Sequence, residues 1–113
     1  MVKKITPKEL HFMLQGEEKV LVLDVRAEEK FHQFHIEEPN VESCNIPKTT
    51  IFGLEESGEE LSLPKSREVV VTCTTGNSAA KCADILDRQN YQVILLEGGI
   101  TAWKEYLKSL EDE

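Results

Sequence analysis

The sequence lacks paired cysteines. Its three, Cys44, Cys73 and Cys82, lie in different local contexts, and no CxxC occurs. An odd count without paired spacing excludes a disulfide framework and points to a reducing, cytoplasmic setting. The chain also lacks any apolar stretch near the ~20 residues that a membrane-spanning helix needs. Its start, Met1-Val2-Lys3-Lys4-Ile5-Thr6-Pro7, has basic residues but no apolar segment behind them. It therefore reads as full length and without a targeting segment. Positive charge is short as well: 13 Lys and Arg stand against 21 Asp and Glu, a formal net charge of −8. Such a chain repels phosphate backbones and anionic lipid, which argues against nucleic acid and membrane as partners. Internal repeats and low-complexity tracts are absent too.

What is present is the make-up of one soluble globular domain. The length is 113 residues, with 40 % hydrophobic and 30 % charged, enough to bury a core without staples. The expected domain is 1–113, with about 109–113 as a frayed acidic tail. Paired acidic residues (Glu17-Glu18, Glu28-Glu29, Glu37-Glu38, Glu55-Glu56, Glu59-Glu60) read as solvated loops and helix starts. Thr6-Pro7-Lys8-Glu9 has an N-cap Thr, Pro at the first helical position and Glu at the third, a capping box. Leu10, Met13 and Leu14 follow at helical spacing, and Gly16 is the expected stop.

Three apolar runs then recur: Val20–Leu23, Val69–Thr72 and Val93–Leu96. Continuous runs of this kind suit strands buried on both faces of a parallel sheet. Between the last two, Ser78 to Gln89 reads as a helix with Ala79, Cys82, Ala83 and Leu86 on one face, closed by a left-handed Asn90. A final helix follows Gly99, carrying Trp103, Tyr106, Leu107 and Leu110. The stretch from Ile51 to Ser66, with Gly53, Gly58 and Pro64 among glutamates, reads as loop with a short helix at most. Buried strands alternating with helices give an α/β layered sheet. Ligands of such sheets sit beyond the carboxyl ends of the strands, here at Asp24, Cys73 and Glu97-Gly98-Gly99.

The informative stretch is Cys73-Thr74-Thr75-Gly76-Asn77-Ser78-Ala79. A cysteine closes a buried strand, a loop of small residues follows, and a helix begins. Successive amides in such a turn converge into an anion-binding nest, and the helix N-terminus adds about half a positive charge. Both favour a thiolate over a thiol. These residues alone leave phosphoryl transfer, sulfur transfer and redox sensing open.

Taken together, several segments resemble the rhodanese family of sulfurtransferases, in order and over nearly the whole chain. They are Ile5–Leu10, the strand end Leu23-Asp24-Val25-Arg26, the segment Phe31–Ile36, Asn45-Ile46-Pro47, the loop from Cys73 to Ala79, and Glu97–Trp103. The resemblance implies a three-layer α/β/α fold whose five-stranded parallel sheet has the order 1-5-4-2-3. It implies a catalytic Cys73 that takes sulfane sulfur as a persulfide, with Thr74, Thr75, Gly76, Asn77, Ser78 and Ala79 binding substrate through loop amides. Asp24, Arg26 and His35 are supporting candidates, His35 mainly a structural one. No metal or organic cofactor is implied. The partners are a small sulfur donor and a thiol or protein acceptor, and the pattern does not choose between a monomer and a weak dimer.

The chain departs from the family at two places. Thr74 and Ser78 stand where many members carry arginine. An acidic connection, Glu37 to Cys44, follows His35-Ile36 in place of a short Pro-Gly-Ala, and Phe34 replaces a usual Gly. Weak thiosulfate binding is therefore expected, with polysulfide, glutathione persulfide or protein persulfide as comparable donors. A non-catalytic rhodanese-like binding, regulatory or sulfur-carrier domain is the alternative. Cysteine phosphatase and arsenate reductase chemistry needs an Arg where this chain has Ala79. Lys81 is the nearest cation to the loop in sequence.

Overall fold

The computed structural model describes residues 2–58 and 61–111. Eleven elements follow one another in the described chain. They are β1 (Lys3–Ile5), α1 (Pro7–Met13), β2 (Val20–Asp24), α2 (Glu28–Gln33), β3 (Val41–Asn45), α3 (Lys48–Phe52), α4 (Leu54–Ser57), β4 (Glu68–Thr72), α5 (Asn77–Arg88), β5 (Gln92–Leu96) and α6 (Gly99–Glu111). The strands form one sheet in the order β1-β5-β4-β2-β3, and every pairing is parallel. This is the expected α/β fold and strand order.

The continuous apolar runs are explained by burial on both faces. Leu21, Val69 and Val93 stand in one row of the sheet, and Val22, Val70 and Ile94 in the next. The first row packs with Ile51, Leu54, Cys82 and Leu86 on the side of α3, α4 and α5. The second packs with Leu10, Leu14, Ile100 and Trp103 on the side of α1 and α6. Side chains of successive strand residues point to opposite faces, so both alternating sets must be apolar. Each fully buried residue of this kind contributes roughly 1.5–3 kcal/mol relative to exposure.

The capping box at the start of α1 forms as expected. Glu9 N donates to Thr6 Oγ1 at 3.2 Å, and Thr6 N donates to Glu9 Oε1 at 3.1 Å. The helix ends at Met13 with Leu14 as its cap, earlier than Gly16 suggested. Its end is satisfied from a distance: the Asn40 side-chain amide donates to the carbonyls of Leu14 (3.0 Å) and Gly16 (2.6 Å). No left-handed glycine is needed there. At the end of α5, Asn90 does turn left-handed, with φ 72°. Asn90 N reaches Asp87 O, and Tyr91 N reaches Leu86 O, both at 3.0 Å, which is a Schellman closure.

Two further differences are local. The segment after Pro47 holds two short helices, α3 and α4, because Ile51 and Leu54 are both buried and three residues apart, one helical turn. The final helix continues through Glu111, so positions 109–111 belong to it. Residues 112–113 and the Glu59-Glu60 pair lie outside the described residues. Among the described residues no helix is long and apolar enough to cross a membrane.

Candidate active site

The carboxyl ends of β2 and β4 meet at one edge of the sheet. Val25 N donates to Thr72 O and Lys48 N to Val25 O, both at 2.9 Å. This ties the connections after β2, β3 and β4 together around Cys73, the residue that follows β4.

The loop from Cys73 to Gly76 turns its two kinds of backbone group in opposite directions. Its carbonyls are held by the first turn of α6: Ile100 N donates to Cys73 O at 2.8 Å, and Thr101 N to Thr74 O at 3.0 Å. Its amides turn toward the sulfur. Cys73 Sγ accepts from Gly76 N at 3.0 Å and from Ala79 N at 3.3 Å. Gly76 has φ 101°, a conformation that carries little penalty only for glycine. The 12-residue α5 begins directly after it and adds its N-terminal dipole to the same point. The arrangement stabilises negative charge on a sulfur atom without any side-chain cation.

A cavity of about 200 Å³ opens above Cys73. Thr74, Thr75 and Ser78 line it from the loop side, and Val25, Arg26, Ala27, Lys30 and Lys48 from the other. A larger cavity of about 390 Å³ lies at the opposite, amino ends of β2 and β4, among Glu17, Glu18, Lys19 and Arg67, and contains no cysteine. Of the loop residues expected to bind substrate, Thr74, Thr75 and Ser78 face the cavity. Gly76 and Ala79 contribute amides to the sulfur. Asn77 is exposed and opens α5.

Asp24 and Arg26 form a buried fork. Arg26 Nε lies 3.0 and 3.1 Å from the two Asp24 carboxylate oxygens, and Nη2 lies 2.7 Å from Oδ2. The side chains are 2 % (Asp24) and 8 % (Arg26) exposed. Nη2 also donates to Phe34 O, so the guanidinium holds the end of α2 and its charge is spent on Asp24. His35 is elsewhere. Its ring stacks on Phe31 at 4.2 Å, and its Nδ1 donates to Phe31 O at 2.9 Å. It lines a different cavity, with Glu37, Glu38 and Trp103. Lys81 is exposed and does not line the Cys73 cavity.

Three contributors escaped the sequence reading as site residues. Asn45 braces the edge, its side-chain amide donating to Asp24 O and Arg26 O at 2.9 Å each. Its signal was available in Asn45-Ile46-Pro47. Lys48 follows that motif directly, and Lys30 stands four residues after Arg26; nothing local in the sequence marks either as a cavity residue.

The other two thiols are held protonated. Burial, then the neighbouring Cys73, pushes the Cys82 thiol up to about 12, with Lys48 acting in the opposite sense. Burial, with Asp24 and Glu42 behind it, also pushes Cys44 up, and its thiol donates to Val22 O at 3.6 Å. All three cysteines are free. Among the described residues no group of three or more His, Cys, Asp or Glu could hold a metal ion.

Residues 6–106 match the family model "Rhodanese-like domain". Two Mycobacterium tuberculosis proteins named "Probable adenylyltransferase/sulfurtransferase MoeZ" are 32 % identical over 106 residues, covering 92 % of this chain and 25 % of theirs. The chain thus spans about a quarter of the length of those relatives. A protein named "Sulfurtransferase" from Allochromatium vinosum is 30 % identical over 108 residues, covering 94 % of this chain and 92 % of its own length. The crystal structure of a rhodanese-like domain protein from Staphylococcus aureus superposes with a TM-score of 0.73 at 29 % identity, covering 90 % of this chain and 91 % of that one. By the match over residues 6–106 and by the shared fold, the chain belongs to the rhodanese-like domain family.

Proposed function

We propose that this chain is a sulfurtransferase that carries sulfane sulfur on Cys73. The observation behind the proposal is the position of the Cys73 sulfur. It is held by the amides of Gly76 and Ala79 at the head of α5, at the floor of an open cavity. Relatives named for sulfur transfer support the same class.

The chemistry takes two displacements. The Cys73 thiolate attacks the outer sulfur of a donor and forms a new S–S bond. The donor's own S–S bond breaks, and its electron pair leaves with the remaining fragment, a thiolate or sulfite. An acceptor thiolate then attacks the outer sulfur of the Cys73 persulfide, and Cys73 leaves as the thiolate it was at the start. Splitting one transfer into two is covalent catalysis. The amide donors fit each stage, because each leaves negative charge on sulfur within their reach.

Incubation with thiosulfate, polysulfide or glutathione persulfide, followed by intact-mass measurement, tests this. Wild type gains the mass of one sulfur atom, and Cys73→Ser does not. Absence of that adduct with every donor would overturn the proposal and leave a non-catalytic rhodanese-like binding domain.

A further inference from the structure

Phe12 is 81 % exposed, against 41 % for Phe52 and 37 % for Leu110. It stands on α1 beside a groove of about 340 Å³ between that helix and the edge strand β1, lined by Lys3, Ile5, Lys8, Glu9, Phe12 and Met13. A single exposed apolar residue is ordinary, but one beside an apolar groove marks a contact surface. The rim is basic in an acidic chain. Lys3, Lys4 and Lys8 are exposed, and none forms an ion pair with a described carboxylate. The neighbouring Glu9 carboxylate is engaged by Thr6 N in the capping box.

A complementary surface lies on the same side of the sheet. α1 and α6 both pack on the face that carries Val22, Val70 and Ile94, and His11 Nδ1 meets Tyr106 OH at 2.7 Å between them. β1 and β5 pair in parallel, so the helices that leave their carboxyl ends run in the same direction. α1 stops at Met13, soon after His11. α6 goes on beyond Tyr106 to Glu111 and so overhangs the end of α1. The overhang carries the exposed Leu110, and the acidic sequence Glu111-Asp112-Glu113 comes directly after it. Lys108, two residues before Leu110, stands on another side of the helix. One layer thus presents an aromatic residue among three lysines and, apart from it, a leucine followed in sequence by three carboxylates.

We propose that this layer is the contact between two copies of the chain, related by a twofold axis. Phe12 and the lysines of one copy meet Leu110 and the acidic end of α6 of the other, and the reverse contact forms at the same time. Such a contact is isologous, so it closes at two copies and does not propagate. Charge decides the occupant. The two surfaces are opposite in sign, so each suits the other and neither suits itself. The rival twofold contact is edge-to-edge pairing of the two β1 strands. It would set Lys4 opposite Lys4, and like charges directly opposite one another oppose such pairing. The contact through α1 and α6 uses none of the residues that line the Cys73 cavity, so that cavity stays accessible in both copies.

The test is sedimentation velocity of the full chain from micromolar to millimolar concentration at physiological salt. Wild type should pass from monomer to dimer as concentration rises. Phe12→Ser should raise the dissociation constant about tenfold or more, the scale of burying one large apolar side chain. Phe12 is exposed, so this variant keeps its fold. Phe52→Ser, at an exposed aromatic residue on α3, should change nothing. Charge reversal adds a second, independent arm. Lys3→Glu/Lys8→Glu sets acid against acid, and Glu111→Lys/Asp112→Lys sets base against base, so each variant alone should be monomeric. The second variant has less net charge than wild type, so general repulsion between copies would make it associate more, not less. An equimolar mixture of the two variants restores opposite signs in both halves of the contact and should form a one-to-one heterodimer. A wild type that stays monomeric at millimolar concentration overturns the proposal and leaves the basic face to an acidic partner of another kind. A dimer that Phe12→Ser or either charge variant leaves intact also overturns it, as does a mixture of the charge variants that stays monomeric.

Discussion

Replacing Gly99 by alanine should damage the site from a position that faces away from the sulfur. Gly99 has φ 60°, and a Cβ there would overlap the Cys73 carbonyl oxygen and stand 2.8 Å from that of Thr74. The left-handed conformation alone costs a non-glycine residue about 1–2 kcal/mol. Relieving the overlap means moving α6 away from the loop. That weakens the bonds from Ile100 N to Cys73 O and from Thr101 N to Thr74 O, each worth about 0.5–1.5 kcal/mol. Together Gly99→Ala should cost about 2–5 kcal/mol, a large share of the roughly 5–15 kcal/mol that holds a typical domain. Gly58 is the control. It has φ 70° with open space around its position, so Gly58→Ala should cost only the backbone penalty of about 1–2 kcal/mol. At about 4 °C per kcal/mol for a domain of this size, melting temperatures should fall by roughly 8–20 °C for Gly99→Ala and 4–8 °C for Gly58→Ala. Thermal and urea unfolding, with Cys73 alkylation rates on the folded variants, measure both effects. Equal losses in the two variants would refute the idea that α6 fixes the loop.

The Asp24–Arg26 fork predicts that Asp24→Asn costs about 3–5 kcal/mol, because it leaves a buried guanidinium without its counter-charge. Urea unfolding should show Asp24→Asn/Arg26→Met losing less than the two single variants summed, and a single-variant loss under about 1 kcal/mol would contradict the fork's role. The raised Cys82 pKa predicts a loss of stability in alkali. Below the ordinary thiol value of 9.0, folded and unfolded chains both hold the proton. Between there and about 12 only the folded chain keeps it, so stability falls as pH rises through that window, and Cys44 acts in the same direction. Urea midpoints from pH 8 to 11 should fall less steeply for Cys82→Ala than for wild type, and parallel slopes would show that Cys82 titrates alike in both states.

Legibility in the sequence tracked how local each cause is. Strands β2, β4 and β5 were readable because burial on both faces leaves unbroken runs such as Val69-Val70-Val71. The capping box was readable because Thr6 and Glu9 are three residues apart. Strand β3 was not readable from its residues alone: it lies at the sheet edge, and Val41-Glu42-Ser43-Cys44-Asn45 is partly buried with no clear alternation. Helices α3 and α4 were hidden because only Ile51 and Leu54 reach the core, among polar residues with Gly53 between them. The end of α1 was misplaced because Asn40, far along the chain, supplies the cap. The Cys73 loop was legible because strand end, small residues and helix start are contiguous. The lysines were not, because Lys30 and Lys48 come to the cavity only through the pairing of β2 with β3 and β4. Lys81, close in sequence, faces elsewhere.

The two-sided loop after β4 separates reactivity from selectivity. The sulfur is held by main-chain amides, which every residue type but proline supplies. The cavity is shaped by side chains from the loop, α2 and α3. Substitutions at Thr74, Thr75, Ser78, Lys30 or Lys48 change the cavity wall and leave the amides of Gly76 and Ala79 that hold the sulfur in place. Substitutions at Gly76 or Gly99 act on the backbone itself and disturb the sulfur cradle whatever the donor. In such a fold the cavity wall can drift under mutation while the main-chain cradle of the sulfur stays as it is.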